Sequence, residues 1–289
     1  MVRRMSSIPR RSIALSTVSL VVLCIIPCFL PAQERDNSDL VSVVSQVQKN
    51  VATLRDKLPD FVCKEQATMQ ETVNGKVVKT SQRLSTLTAV RKYPRQNDGR
   101  FAESREVISA TENGKQVKAQ SYAPPVGVRG GFAEDLFPFF DLNSGKCYEF
   151  DLVGREVVRG RAAVVMNVKS KAGLQSLGPQ CPHLSPGYSV AKVWIDSESL
   201  QVVRLEKNTI HELMFNGPFA ATNGDYLLTP HIEYAPVSIN NSTYWLPVEK
   251  RVEFVKVKGQ RSLAYRLQYS DFHKFDVSMK IVSADLESH

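Results

Sequence analysis

Between Ser38 and Leu58 apolar side chains recur at Leu40, Val43, Val44, Val47, Val51, Leu54 and Leu58. Steps of three and four residues predict an amphipathic helix, which Asn37 or Ser38 can cap and Pro59 ends. Beyond Pro59 the period drops to two. Asn74-Gly75 separates alternating runs at 61–73 and from 76 onward, and Asn113-Gly114 separates 101–111 from 115–122. Asp196-Ser197-Glu198-Ser199 lies between 190–195 and 200–206, and Lys258-Gly259 between 250–257 and 261–272. Gly154 is the expected turn between 147–153 and 158–168. Strands joined by such short turns are antiparallel neighbours, and no segment alternates strand with helix as a parallel sheet requires.

One stretch breaks this rhythm. The glycine- and proline-rich run 124–131 leads into Phe132-Ala133-Glu134-Asp135-Leu136-Phe137-Pro138-Phe139-Phe140, where Pro138 prevents a long helix. The expected fold is α+β and mainly antiparallel β: a strongly curved, incomplete β-barrel, with the N-terminal helix and the short aromatic insert against its concave face. Period-two alternation puts Val193 with Ile195, Val252 with Phe254, and Leu263, Tyr265, Leu267 and Tyr269 on inward faces. The insert, through Phe132, Leu136, Phe137, Phe139 and Phe140, is the natural lid over them. An aromatic lid on such a surface suits a chain-like apolar ligand rather than a charged one, each buried methylene contributing about 0.8 kcal/mol.

The first residues alter the cellular setting. Arg3, Arg4, Arg10 and Arg11 precede an apolar run from Ile13 to Leu30, and Pro31-Ala32-Gln33 follows. That layout of basic, apolar and short polar regions is a secretory signal over residues 1–32, leaving one domain over 33–289 in the periplasm or outside the cell. The alternative is an uncleaved anchor; after cleavage any membrane association is peripheral. Four charges of the net +8 belong to the signal, so the remainder is weakly and diffusely basic. This excludes a nucleic-acid footprint. Cys63, Cys147 and Cys181 remain after residue 32. In an oxidising compartment three cysteines suggest one bridge and one thiol. The hairpin after Cys147 brings the loop holding Cys181 back beside it, so Cys147–Cys181 is the expected pair and Cys63 the buried thiol.

Catalytic motifs are missing. His211-Glu212-Leu213-Met214-Phe215 lacks the second histidine of a zinc-protease helix. There is no Gly-x-Ser-x-Gly elbow, and Gly127-Val128-Arg129-Gly130 lacks the lysine and hydroxyl of a phosphate loop. Asp271 and Asp276 are the one carboxylate pair to weigh for acid–base work, while Asp196, Glu198 and Glu206 read as exposed turn acids. No metal, cofactor or catalytic residue is expected.

Two stretches carry a family resemblance. The first is Tyr148-Glu149-Phe150-Asp151-Leu152-Val153-Gly154-Arg155-Glu156-Val157-Val158-Arg159-Gly160-Arg161 with the apolar strand after it. The second is Ala191-Lys192-Val193-Trp194-Ile195-Asp196, a turn, then Val202-Val203-Arg204-Leu205-Glu206. Together they resemble the periplasmic half-barrel proteins of the LolA and LppX kind. The resemblance implies an incomplete antiparallel barrel closed by helices, and members that carry lipids or lipoproteins in the hollow or sense the state of the envelope. The expectation is therefore an exported, non-enzymatic protein binding an acyl chain or lipidated partner. An envelope interaction or sensor protein with a filled core is the alternative, and a hydrolase-like enzyme a minor one.

N-terminal sequencing of the exported protein is expected to begin at Gln33; a mature form starting near Met1 would make the segment an anchor. Peptide mapping without reduction is expected to join Cys147 to Cys181, and a bridge containing Cys63 would contradict the pairing.

Overall fold

The computed structural model describes residues 33–91, 101–118, 132, 134–140, 147–171, 189–207, 209–211, 226–256 and 260–276. The signal segment, the run 119–131 and the loop holding Cys181 lie outside the described residues. Helix α1 spans Gln33–Lys57. It begins earlier than predicted, so Asn37 and Ser38 lie within its first turns instead of capping it. Arg91 ties down its other end: the guanidinium donates to the carbonyls of Arg55 at 2.7 Å and Leu58 at 2.6 Å, which would otherwise lack helical partners.

Twelve strands follow among the described residues: β1 (Phe61–Val73), β2 (Lys76–Arg91), β3 (Phe101–Glu112), β4 (Lys115–Gln116), β5 (Tyr148–Val158), β6 (Arg161–Ser170), β7 (Ser189–Asp196), β8 (Val202–Lys207), β9 (Thr209–His211), β10 (Tyr226–Ile239), β11 (Ser242–Lys256) and β12 (Arg261–Lys274). A 3-10 turn (Glu134–Leu136) and the short helix α2 (Phe137–Phe140) form the aromatic insert. The strands make one open antiparallel sheet in the order β4-β3-β2-β1-β12-β11-β10-β8-β7-β6-β5, with β9 beside β10. The protein is thus a mainly antiparallel half-barrel with an N-terminal helix.

The asparagine turns form as expected, with positive φ at Asn74 and Gly75 (53° and 74°) and at Asn113 and Gly114 (48° and 77°), which matches the twist of the flanking strands. Gly154 corrects the sequence reading. Strand β5 runs through it with a register shift between Leu152 and Gly154, and the chain reverses at Arg159-Gly160 (φ 50° and 78°). A glycine inside a strand marks a bulge as readily as a turn. The longer hairpin still brings Lys171 beside Cys147, to whose carbonyl its amide donates at 3.0 Å. Residues 257–259 lie outside the described set, but β11 and β12 pair antiparallel on either side of them.

Register puts a continuous row across the inner face: Ala67, Leu267, Lys250, Ile232, Leu205, Val193 and Met166 are successive cross-strand partners. Helix α1 lies over this face. Val47 and Val51 are buried in the core formed with β5–β8 and β10, while Leu54 packs on the core formed by β1, β2, β11 and β12. Asn50 holds the helix in place by donating to the carbonyl of Leu200, in the β7–β8 turn, at 2.8 Å. A smaller apolar cluster, including Val165, Trp194 and Val203, lies apart from these two.

Candidate functional site

The positions expected to contact a ligand are buried except Phe137, and the structure divides them between two cores. Phe132, Val252, Phe254, Leu263, Tyr265, Leu267 and Tyr269 belong to the first. Leu136, Phe139, Phe140, Val193 and Ile195 belong to the second, with Phe137 partly buried against it. The aromatic insert reaches both. The Phe132 ring meets Phe61 at 5.4 Å and Tyr269 edge-on at 4.5 Å, and Phe140 stacks on Phe150 at 5.5 Å. Such ring pairs add about 0.5–1.5 kcal/mol each beyond the area they bury.

Polar anchors hold the insert at both cores, and sequence reasoning missed them. At the first core the Phe132 amide donates to Glu103 Oε1 at 2.5 Å. Glu103 accepts from Arg105 at 3.1 Å, Arg105 donates to Glu65 Oε2 at 2.8 Å, and Arg83 donates to Glu65 Oε1 at 3.2 Å. These two acids and two arginines balance in charge. Cys63 lies close to them as a buried free thiol, and burial, then the Glu65 charge, push its pKa far up. That disfavours the thiolate a reactive cysteine needs.

At the second core Asp135 is the anchor. Lys207 of β8 donates to its Oδ1 at 2.5 Å and Lys250 of β11 to its Oδ2 at 3.1 Å. Burial alone would raise the Asp135 carboxyl, but Lys250 and then Lys207 outweigh it and hold the group below its usual range. Lys207 also lies 5.9 Å from the centre of the Phe139 ring. The Tyr234 hydroxyl is buried nearby with no hydrogen-bond partner among the described residues, and burial, then Asp135, push its pKa well up. Charge therefore sits beneath the insert, paired within an otherwise apolar face. The signal was available: Lys250 shares its parity with Val252 and Phe254, Lys207 with Leu205, and Glu65 with Phe61 and Cys63. An ionisable side chain on the inward face of a strand needs a partner.

The other sequence candidates have ordinary structural roles. Asp271 pairs with Lys64 at 2.5 Å and Asp276 with Lys274 at 2.8 Å, so each carboxylate has its own lysine. Asp196 is buried rather than exposed: it accepts from the amides of Glu198 and Ser199 and from Arg161. Glu206 and Glu233 flank His231 at 3.0 and 2.8 Å, with Arg204 on Glu233 at 2.7 Å, as cross-strand pairing of β8 with β10. At the sheet edge, Leu40, Val41 and Val44 of α1 and Tyr148 and Phe150 of β5 line an open groove of about 450 Å³.

The chain forms an open antiparallel half-barrel with an aromatic insert anchored on its inner face. Among solved structures the chain is similar to a protein of the DUF1329 family from Desulfovibrio piger, at 12% identity over 83% of this chain and 95% of that one, TM-score 0.41. It is also similar to a domain described as an outer membrane lipoprotein-sorting protein from Vibrio parahaemolyticus, at 12% identity over 82% and 95%, TM-score 0.36. A LolA superfamily protein from Nitrosomonas europaea matches at 14% identity over 85% and 97%, TM-score 0.32. No family model matches the chain, and no curated protein does.

Replacing Asp135 with asparagine strands two lysines under the lid and is expected to cost about 3–5 kcal/mol at neutral pH. A carboxyl held below its ordinary value stabilises above that value and loses the contribution as pH falls through the folded-state value. The stability gap between wild type and Asp135→Asn, measured by urea unfolding, should hold down to about pH 4 and shrink below it. A gap independent of pH throughout acid titration would contradict the ion pair.

Proposed function

We propose that this chain is an exported, non-enzymatic carrier that binds an acyl chain, or the lipid part of a lipidated partner, on the inner face of its half-barrel. The observation that carries this reading is how the inner face is covered. Its row of inward side chains, apolar except for Lys250, crosses seven strands, yet over it lies an insert outside the sheet, fixed by side-chain anchors and ring contacts. Such a cover can be exchanged for a ligand of like character without breaking a ladder hydrogen bond, and the groove between α1 and β5 opens next to Phe150, on which the insert's Phe140 stacks. Phe132, Leu136, Phe137, Phe139 and Phe140 would be the displaced side chains. Val193, Ile195, Val252, Phe254, Leu263, Tyr265, Leu267 and Tyr269 would receive the chain. Export rests on the signal layout of residues 1–32, with Cys147–Cys181 as the bridge; Cys147 itself carries no free thiol.

A second reading, an envelope protein that docks a partner protein, has one observation in its favour. Strand β5 lies at the end of the sheet order and exposes Leu152, Val153 and Val157, the last to 73%. Exposed apolar side chains on an edge strand suit strand-to-strand association.

Titration with a fluorescent fatty acid separates the two. Wild type is expected to bind, and Phe137→Ser with Phe139→Ser to tighten the affinity by about tenfold, because the displaced insert is held less firmly, while unfolding stays cooperative. A wild type that takes up no probe, purifies without lipid and unfolds cooperatively would remove the carrier reading in favour of docking at β5.

A further inference from the structure

Among the described residues, two lysines facing one carboxylate leave the second core with a surplus positive charge. Lys250 is 7% exposed and occupies the apolar row between Leu267 and Ile232, a costly place for an ammonium group. The Tyr234 hydroxyl, also buried, has no acceptor among the described residues. The first core, by contrast, balances Glu65 and Glu103 with Arg83 and Arg105. A surplus donor set therefore stands at one place on the inner face, and its single carboxylate comes from the insert rather than from a neighbouring strand.

We propose that Lys207, Lys250 and the Tyr234 hydroxyl form a binding site for the anionic headgroup of an acyl-chain ligand, occupied by Asp135 when the insert is seated. This rests on the carrier reading and names its ligand class: amphiphiles ending in a carboxylate or phosphate. Such a group can accept from both ammonium groups as Asp135 does, and an additional acceptor lone pair can accept a hydrogen bond from the tyrosine hydroxyl. Apolar side chains adjoin the site along the row, Leu267 on one side and Ile232 and Leu205 on the other. A headgroup at Lys250 therefore lays its chain directly onto the inner face. Asp135 would be the group the ligand displaces, which couples headgroup binding to release of the insert.

The test uses the mature chain with cis-parinaric acid and its methyl ester, which share one fluorescent chain and differ in charge. Wild type is expected to bind the acid about tenfold or more tighter than the ester, the scale of a charge-assisted hydrogen bond. Lys250→Met keeps one lysine for one carboxylate and should fold; it is expected to erase most of that preference while ester affinity stays within about twofold. Lys79→Met, at an exposed pair with Glu112, should keep the preference. Asp135→Asn, checked for cooperative unfolding, should tighten both probes because the insert loses an anchor, and the acid by more than the ester because two lysines are freed for its carboxylate. Equal binding of acid and ester by wild type would overturn the headgroup site and leave the carrier reading standing. Binding of neither would overturn both. Inorganic phosphate that displaces the acid but not the ester, as effectively as unlabelled fatty acid does, would assign the lysines to a free anion and overturn the headgroup assignment.

Discussion

An open sheet with one apolar face must cover that face, and here the cover comes from outside the sheet. Helix α1 supplies part of it through Val47 and Val51. The insert supplies the rest, and it is too short to hold itself by its own backbone: α2 is four residues long. Its seat depends on the meeting of Asp135 with Lys207 and Lys250. Three charged groups taken out of water are tolerated because each satisfies another, and removing any one changes the balance for the rest. The aromatic packing of Phe132, Phe139 and Phe140 follows from that placement.

This arrangement gives the two cores different characters. Around Phe61 the rings of Phe101, Phe132 and Phe272 lie within 6.1 Å, above a charge-balanced set of acids and arginines. Around Asp135 the balance is incomplete and a tyrosine hydroxyl is unsatisfied among the described residues. A charge-balanced network fixes a structure, whereas an unbalanced one leaves free energy for another group to gain. The functional proposals concern the second core for that reason.

Much of the architecture was legible in the sequence because turns and periodicity are local. Asn74-Gly75 and Asn113-Gly114 mark their hairpins, and the alternation through Leu263, Tyr265, Leu267 and Tyr269 assigns a face that the structure buries. Gly154 misled because a glycine inside a strand can mark a bulge or a turn, and Arg159-Gly160 was the less obvious turn pair. The burial of Asp196 was missed because its position in a turn says nothing of Arg161, thirty-five residues away. The anchors of the insert were harder still. Asp135, Lys207 and Lys250 are separated by up to 115 residues, and only the sheet register brings the two lysines under one carboxylate. Parity alone would have marked Lys250 and Glu65 as inward charges, but it could not have paired them.

On the carrier reading, the insert and an acyl ligand compete for the same inner face. Amide hydrogen exchange, read residue by residue with and without a saturating long-chain fatty acid, tests it most directly. The amides of Phe132, Leu136, Phe137, Phe139 and Phe140 are expected to exchange faster in the complex, as the Glu103 and Asp135 anchors release, while those of β11 and β12 exchange no faster. Unchanged or stronger protection of the insert in the complex would contradict it.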